Sequence, residues 1–390
     1  MNKVSNIPTG WIEVRIGNLC KSLVPGRNKP KIFDGDIPWV NTPDINSRYI
    51  PLSNHAICIT KEEVKNCGGK IVPAGAVVMA CVGDLGLVAI TIKDIVINQQ
   101  LHAFVCPENI YNEYIAYSLK AQKSQMYKLA SLTTIPYLNK SNCESLEILL
   151  PPLQEQKAIA GILEKWDEAI EKTSKLIEAK KKRFEWVRKF SLTTKKDWEN
   201  IKLKDFLIES NQKSQIENEY KILSSTMNSV EIRSGRVDAV SNIGYKIIRR
   251  NQLVLSPQNL WLGNINVNTD YEVGLVSPSY KIFDFNENII LSDFAKFLFK
   301  TNKMLWNYKL CSEAGASVVR RNLDLNLFYE IKIFIPALEQ QKQIAKTLNT
   351  AKKEITILEE ILGKYKSQKK GLMQKLLTGK SRVNNINFEN

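Results

Sequence analysis

Pro151-Pro152-Leu153-Gln154-Glu155-Gln156-Lys157-Ala158-Ile159-Ala160 returns 185 residues later as Pro336-Ala337-Leu338-Glu339-Gln340-Gln341-Lys342-Gln343-Ile344-Ala345, with six of ten positions identical. Such a repeat decides the fold, because it divides the chain into two equivalent halves before any element is assigned. Each copy opens a long proline-free stretch whose seam advances in alternating steps of four and three, the spacing of a helix packed along a partner. The first seam runs Ile159, Leu163, Trp166, Ile170, Thr173, Ile177, Lys180, Phe184 and Val187. The second keeps the same phase through Ile344, Leu348, Ala351, Ile355, Leu358, Leu362, Tyr365, Lys369 and Leu372. The endings also match, as Leu192-Thr193-Thr194-Lys195 and Leu377-Thr378-Gly379-Lys380. A proline ahead of each stretch suits the first helical turn, where its missing N–H is not needed. About 35 residues at 1.5 Å each predict rods of roughly 50 Å.

Outward from these rods, Trp11-Ile12-Glu13-Val14-Arg15-Ile16-Gly17-Asn18-Leu19 resembles Trp198-Glu199-Asn200-Ile201-Lys202-Leu203-Lys204-Asp205-Phe206, offset by 187. Between echo and rod, both halves read as mixed, strand-rich globules. Val77–Val82 and Leu87–Ile92 read as buried strands joined by a Gly-Asp-Leu-Gly turn. In the second half Gln252–Leu255, the Gly263 turn and Glu272–Phe283 read as strands, followed by a helical Leu291–Asn307. The fold class is α/β (α+β): globules at 1–150 and 196–335, helical regions at 151–195 and 336–390.

Composition bounds the function. The 390 residues are 44% hydrophobic and 24% charged, which is ordinary globular usage and excludes wholesale disorder. The seven cysteines are scattered without a C-x-x-C pair, and only His55 and His102 are available, so neither a disulfide framework nor a Cys/His metal site is expected. Met1–Gly10 lacks an apolar signal core, and the apolar stretch Ala74–Ile92 is broken by Asp84, so a cytoplasmic, reduced protein without a membrane span is expected. The net charge of +15 is uneven: the globules carry +3 and +2, the helical regions +4 and +6.

The chain resembles the DNA-specificity subunits of Type I restriction-modification enzymes over nearly its whole length. The resemblance rests on the tryptophan openings at Trp11 and Trp198, Gly35-Asp36-Ile37-Pro38-Trp39-Val40, and Gly274-Leu275-Val276-Ser277-Pro278-Ser279-Tyr280-Lys281-Ile282-Phe283. The paired proline-leucine helix starts and the Leu-Thr-Gly-Lys ending complete it. It implies a non-catalytic subunit with two target-recognition domains, separated by conserved helices that form an antiparallel coiled coil with a pseudo-twofold repeat. The implied partners are double-stranded DNA, probed as two half-sites, then methyltransferase (modification) subunits, two in number, and restriction/translocase subunits. S-adenosylmethionine, ATP and Mg belong to those partners, and the chain itself needs no cofactor. Departures are Pro336-Ala337 in place of a proline pair, Gln340 where the first copy has Glu155, and no second counterpart of Gly35–Val40.

With antiparallel rods the two globules face DNA in opposite orientations, so the expected target is two unrelated short sequences around an unread spacer. Base reading needs Arg or Lys for guanine and Asn or Gln for adenine, held on loops. Candidates in the first globule are Arg27, Lys29, Lys31, Asn41, Thr42, Thr133, Thr134 and Tyr137. In the second they are Ser225, Thr226, Gln258, Asn259, Arg320, Arg321 and Asn322, the adjacent arginines being favoured. These clusters are also compatible with ordinary turns. Candidate partner and coiled-coil positions are Ile159, Leu163, Trp166, Ile170, Ile177, Phe184, Ile344, Leu348, Ile355, Leu358, Leu362 and Leu372, with Trp186 as a further anchor.

Competing enzyme readings are weak. Gly379-Lys380-Ser381 lacks the earlier glycine of a phosphate-binding loop, since position 374 is Gln374. Pro43-Asp44 with Glu63-Val64-Lys65 fits a loose metal-nuclease spacing, but Thr60–Asn66 reads as a short helix or turn. Ser277-Pro278-Ser279-Tyr280 is similar to an adenine methyltransferase loop yet has Ser279 where a second proline belongs, and no G-x-G-x-x-G accompanies it. The alternatives to a specificity subunit are a self-sufficient restriction endonuclease or methyltransferase with attached recognition domains, and a coiled-coil adaptor.

Overall fold

The computed structural model describes residues 7–51, 57–131, 135–234, 241–314 and 321–383. The chain divides into two compact units, 1–174 with 360–390, and 175–359. Each unit therefore owns one globule and a part of each long helix.

Both proline-led repeats are helical, Leu153–Ser191 and Leu338–Leu376, 39 residues apiece. In the first unit the strand Ile12–Arg15 pairs antiparallel with Glu147–Leu150, the segment that leads into the first helix. In the second, Glu199–Lys202 pairs in the same way with Lys332–Ile335, ahead of the second helix. Trp11 and Trp198 each lie buried beside these ladders. The indole thus fixes the place where a globule meets its helix.

The globules share a sheet order. In the first, Lys21–Leu23, Leu101–Val105, Val77–Ala80, Val88–Thr91 and Tyr49–Ile50 lie side by side. In the second the order is Leu207–Ser210, Lys281–Phe285, Leu253–Leu255 and Ile265–Val267. Val77–Ala80 and Val88–Thr91 form an antiparallel hairpin, as their apolar runs predict, and both are buried on both faces. The predicted helix Leu291–Asn307 is instead two, Ser292–Leu298 and Asn302–Leu310. Thr301 causes the break: its hydroxyl caps the N–H of Met304 and starts a new helix.

A smaller three-stranded sheet, Cys58–Ile59, Ile37–Val40 and Val96–Ile97, completes the first globule. Gly35 permits it, since a Cβ there would lie 2.0 Å from the carbonyl carbon of Ile59. In the second globule Lys246–Arg249 pairs with Val273–Val276 instead. No helix is long and apolar enough to cross a membrane, among the described residues.

Each unit has its own core. In the first, Trp11, Ile16, Phe104, Tyr114, Ile159, Leu163 and Leu376 belong to one apolar cluster. In the second, Trp198, Leu203, Phe283, Phe294, Ala345 and Leu348 do so. Of the remaining seam, Ile177 and Ile355 are buried, whereas Trp166, Ile170, Phe184, Ile344, Leu358, Leu362 and Leu372 are half-buried.

Candidate nucleic-acid interface

In the first unit the turn between Val77–Ala80 and Val88–Thr91 is held by a neighbouring segment. Gly83 N–H donates to the Pro136 carbonyl at 2.9 Å, and Leu138 N–H to the Cys81 carbonyl at 2.8 Å. This sets exposed Ile135 and Tyr137 beside the turn, while the Lys123 ammonium pairs with the turn's Asp84 at 2.7 Å and lies 5.9 Å from the exposed Tyr127 ring centre. Aromatic faces beside a cation suit base stacking and phosphate contact. Thr133 and Thr134 lie outside the described residues.

A second surface of this unit carries Arg27, Lys29 and Lys31, all exposed. The Lys29 ammonium sits 5.8 Å from the Trp39 ring centre. The Gln99 amide donates to the carbonyls of Gly26 and Asn28, at 3.0 and 3.2 Å, and so shapes the loop. Asn98 donates to the Asn41 side-chain oxygen at 2.9 Å, and Thr42 donates to Gln100 at 3.0 Å. Asn41 and Thr42 are thus partly committed within the protein. Asn98 and Gln100, which hold them, and Gln99, which holds the Gly26–Asn28 loop, escaped the sequence reading although three consecutive amides between strands are a signal for it.

In the second unit Ser225 turns inward. Its hydroxyl donates to Asn264 at 2.6 Å and accepts from Asn266 at 2.7 Å, and the residue is buried. Thr226 accepts the N–H groups of Asn228 and Ser229, each at 3.2 Å, and stabilises its own turn. Neither side chain is presented as a base reader.

Gln258, Asn259 and Arg321 are brought together. Arg321 N–H donates to the Gln258 carbonyl at 3.3 Å, and its guanidinium lies 4.6 Å from the Trp261 ring centre. Stacking fixes the guanidinium plane by its face and leaves its N–H edge available for bidentate contact. Trp261, which supplies that face, was not anticipated. Exposed Asn322 pairs with Glu313 across a short hairpin, and Arg320 lies outside the described residues.

Groups resembling catalytic sets are occupied structurally. His102 and Ser22 approach to 2.7 Å, but His102 is buried and desolvation pushes it down to about 4, leaving it neutral. Asp44 accepts the Asn41 N–H at 2.7 Å as a cap. Glu63 accepts the Lys31 N–H at 2.6 Å, and this bond holds its carboxyl below the usual range. The two acids of the nuclease-like spacing serve the backbone.

On the helices, Trp186 and Phe190 stack at 5.5 Å with planes 5° apart, both largely exposed. Trp166 instead meets Tyr365 edge-on at 5.6 Å within the first unit. Ion pairs there join Asp167 to Lys369, and in the second unit Lys180 to Glu354 and Lys181 to Glu359, both at 2.6 Å.

Residues 8–181 match the family described as the Type I restriction modification DNA specificity domain. The chain is 28% identical to the Type I restriction enzyme MjaVIII specificity subunit of Methanocaldococcus jannaschii, covering 98% of this chain and 95% of that one. It is 29% identical to the MjaIX specificity subunit of the same organism over 201 residues, half of this chain and 45% of that one. The crystal structure of the Type I restriction-modification system S subunit from M. genitalium has the same fold, with TM-score 0.59, 16% identity, and 97% and 98% of the two chains covered.

Proposed function

We propose, from the premise that this chain belongs to the family of Type I restriction-modification specificity subunits, that it selects a bipartite DNA target through two unlike recognition domains. The observation that carries this reading is one scaffold built twice with different surfaces. Both units join globule to helix by a tryptophan, a two-stranded ladder and a buried glutamine. At the hairpin tips, however, one unit presents Tyr127 and Tyr137, the other Arg321 stacked on Trp261. A common frame with different tips reads two different half-sites.

In this reading residues 1–150 and 196–335 are the recognition domains, and 151–195 and 336–390 the helical regions. The helices form an antiparallel coiled coil relating the halves by a pseudo-twofold axis. Supporting it are pairs whose numbers rise on one helix as they fall on the other, Asp167 with Lys369 against Lys180 with Glu354. The chain is the non-catalytic member of its complex, and its methyltransferase and restriction partners supply S-adenosylmethionine, ATP and Mg chemistry. The exposed Trp186 and Phe190 pair is the proposed anchor for a methyltransferase subunit, since exposed aromatics are what a partner buries with most gain.

The test is methylome sequencing of cells expressing this chain with its methyltransferase subunit. A bipartite adenine-methylated motif is expected, and its absence overturns the reading. Arg321→Ala should cost about 1–3 kcal/mol and relax one position of the second half-site. Uniform weakening on every sequence would assign Arg321 to phosphate. One helical turn inserted after Lys172 should change the spacer by about one or two base pairs and leave both half-sites intact.

A further inference from the structure

The two globule-helix junctions correspond residue by residue. Tyr111 N–H donates to the Gln156 side chain at 2.9 Å, and Leu291 N–H to Gln341 at the same distance. This shared anchor aligns Tyr117 with Phe297 and Lys120 with Lys300, while the 185-residue helix offset aligns Asp167 with Lys352 and Phe184 with Lys369.

In the first unit a carboxylate sits at the centre of this junction. Tyr117 donates to Asp167 at 2.6 Å, Lys369 pairs with Asp167, and the same carboxylate favours the charged form of Lys120 against its burial. In the second unit Phe184 and Phe297 pack at 6.3 Å, and a lysine, Lys352, stands where the carboxylate would be. Lys300 donates to the carbonyls of Met227 and Gly263 at 2.9 and 3.0 Å, two neutral acceptors for three N–H groups. Among the described residues no carboxylate pairs with Lys300 or Lys352.

Both lysines line a cleft of about 460 Å³, with Lys181, Arg188 and Lys296 against only Glu185 and Asp270. The outer three are already neutralised, Lys181 by Glu359, Arg188 by Glu185 and Lys296 by Asp293, at 2.6, 2.6 and 2.7 Å. The lining cations without an ion pair among the described residues are therefore Lys300 and Lys352, with Asp270 the one lining carboxylate not already paired to the outer three. Lys352 is exposed at the rim, but half-burying the Lys300 ammonium without a paired carboxylate is costly, and a bound anion offsets that cost.

We propose that this cleft is an oxyanion site for a phosphate group, which Lys300 and Lys352 hold in place of the carboxylate that Asp167 supplies in the first unit. A phosphate offers charge and acceptor oxygens together, matching the third N–H of Lys300 and the rim ammonium of Lys352. The group is either free phosphate or a strand phosphate of DNA. The site stands independently of the base-reading proposal.

Burial pushes Lys300 down to about 8, with Lys352 adding repulsion. The sign follows: below pH 8 the fold holds an unfavourable charge that phosphate relieves, and above it the lysine is neutral and phosphate gains less.

The test is thermal unfolding of the full chain in inorganic phosphate against sodium chloride at equal ionic strength. Phosphate should raise the midpoint at pH 7 and much less at pH 9. Lys352→Asp should abolish the response while raising the midpoint in phosphate-free buffer, which distinguishes loss of the site from loss of folding. Equal effects of phosphate and chloride, or an unchanged response in Lys352→Asp, would overturn the proposal. Binding of the methyltransferase complex to non-target duplex then identifies the source. A strand phosphate predicts a salt-dependence slope lower by about 1 in Lys352→Asp. An unaltered slope beside a lost phosphate response assigns the site to free phosphate.

Discussion

The first unit locks its tryptophan with charge, and the second does not. Trp11 donates to Glu155 at 2.9 Å, and Arg382 grips the same carboxylate through two nitrogens, at 2.8 and 3.0 Å. In the second unit Gln340 holds the position of Glu155, and the buried Trp198 indole N–H meets no acceptor among the described residues. One residue further on the two agree: Gln156 and Gln341 are both buried and both bridge a helix N-terminus to the proline-led turn, Gln341 with an added bond to the Ile289 carbonyl. The comparison teaches that the glutamine, which satisfies backbone groups of both globule and helix start, defines the junction. The charged lock is an addition that one unit carries and the other omits.

Asp167→Lys gives the first unit the residue that the second carries at its junction, and should be the most damaging single change. It takes the acceptor from Tyr117 and the counter-charge from Lys369, for about 3–4 kcal/mol in urea unfolding. A loss below about 1 kcal/mol would break the junction comparison. Gln341→Ala leaves the Leu291 N–H and two carbonyls unsatisfied in a buried site, costing about 2–3 kcal/mol by the same measurement. Gln156→Ala should fall in the same range, and a marked inequality would show that the two clamps are not equivalent.

Glu155→Gln makes the first lock resemble the second and should cost about 1–2 kcal/mol, measured from the thermal midpoint. The loss should shrink in high salt if the Arg382 pair carries it. The reverse change, Gln340→Glu, should gain no more than about 1 kcal/mol, because the 185-residue offset sets Asp197, not an arginine, at the position of Arg382. Least damaging to the fold is Trp186→Ala with Phe190→Ala, within about 0.5 kcal/mol since both rings are exposed. Capture of the methyltransferase subunit should nonetheless fall at least tenfold, and undiminished capture would remove the aromatic pair from the docking surface.

Much of the scaffold was legible because it depends on spacing. The seams gave both helices, and the apolar runs around Gly83 and Gly86 gave a buried hairpin. The candidate site was legible only in part. Arg321, Gln258 and Asn259 do meet, whereas Ser225 and Thr226 are spent on Asn264, Asn266 and their own turn. A serine in a polar turn reads alike whether it faces solvent or an asparagine nearly forty residues away. Trp261 and Gln99 were missed for the same reason, since their partners lie on other strands.

The sequence by itself determined that this protein is one design used twice, because a repeated period along the chain survives without knowledge of any contact. It also pointed to the family that the chain resembles, through motifs kept in one order at one offset. Only the tertiary structure decided which polar residues hold the frame and which remain free, and that the second junction sets Lys352 beside Lys300 where the first sets the Asp167 carboxylate beside Lys120. Charge balance in a buried site is a property of neighbours in space, and Lys300 and Lys352 become neighbours only when helix and globule have packed.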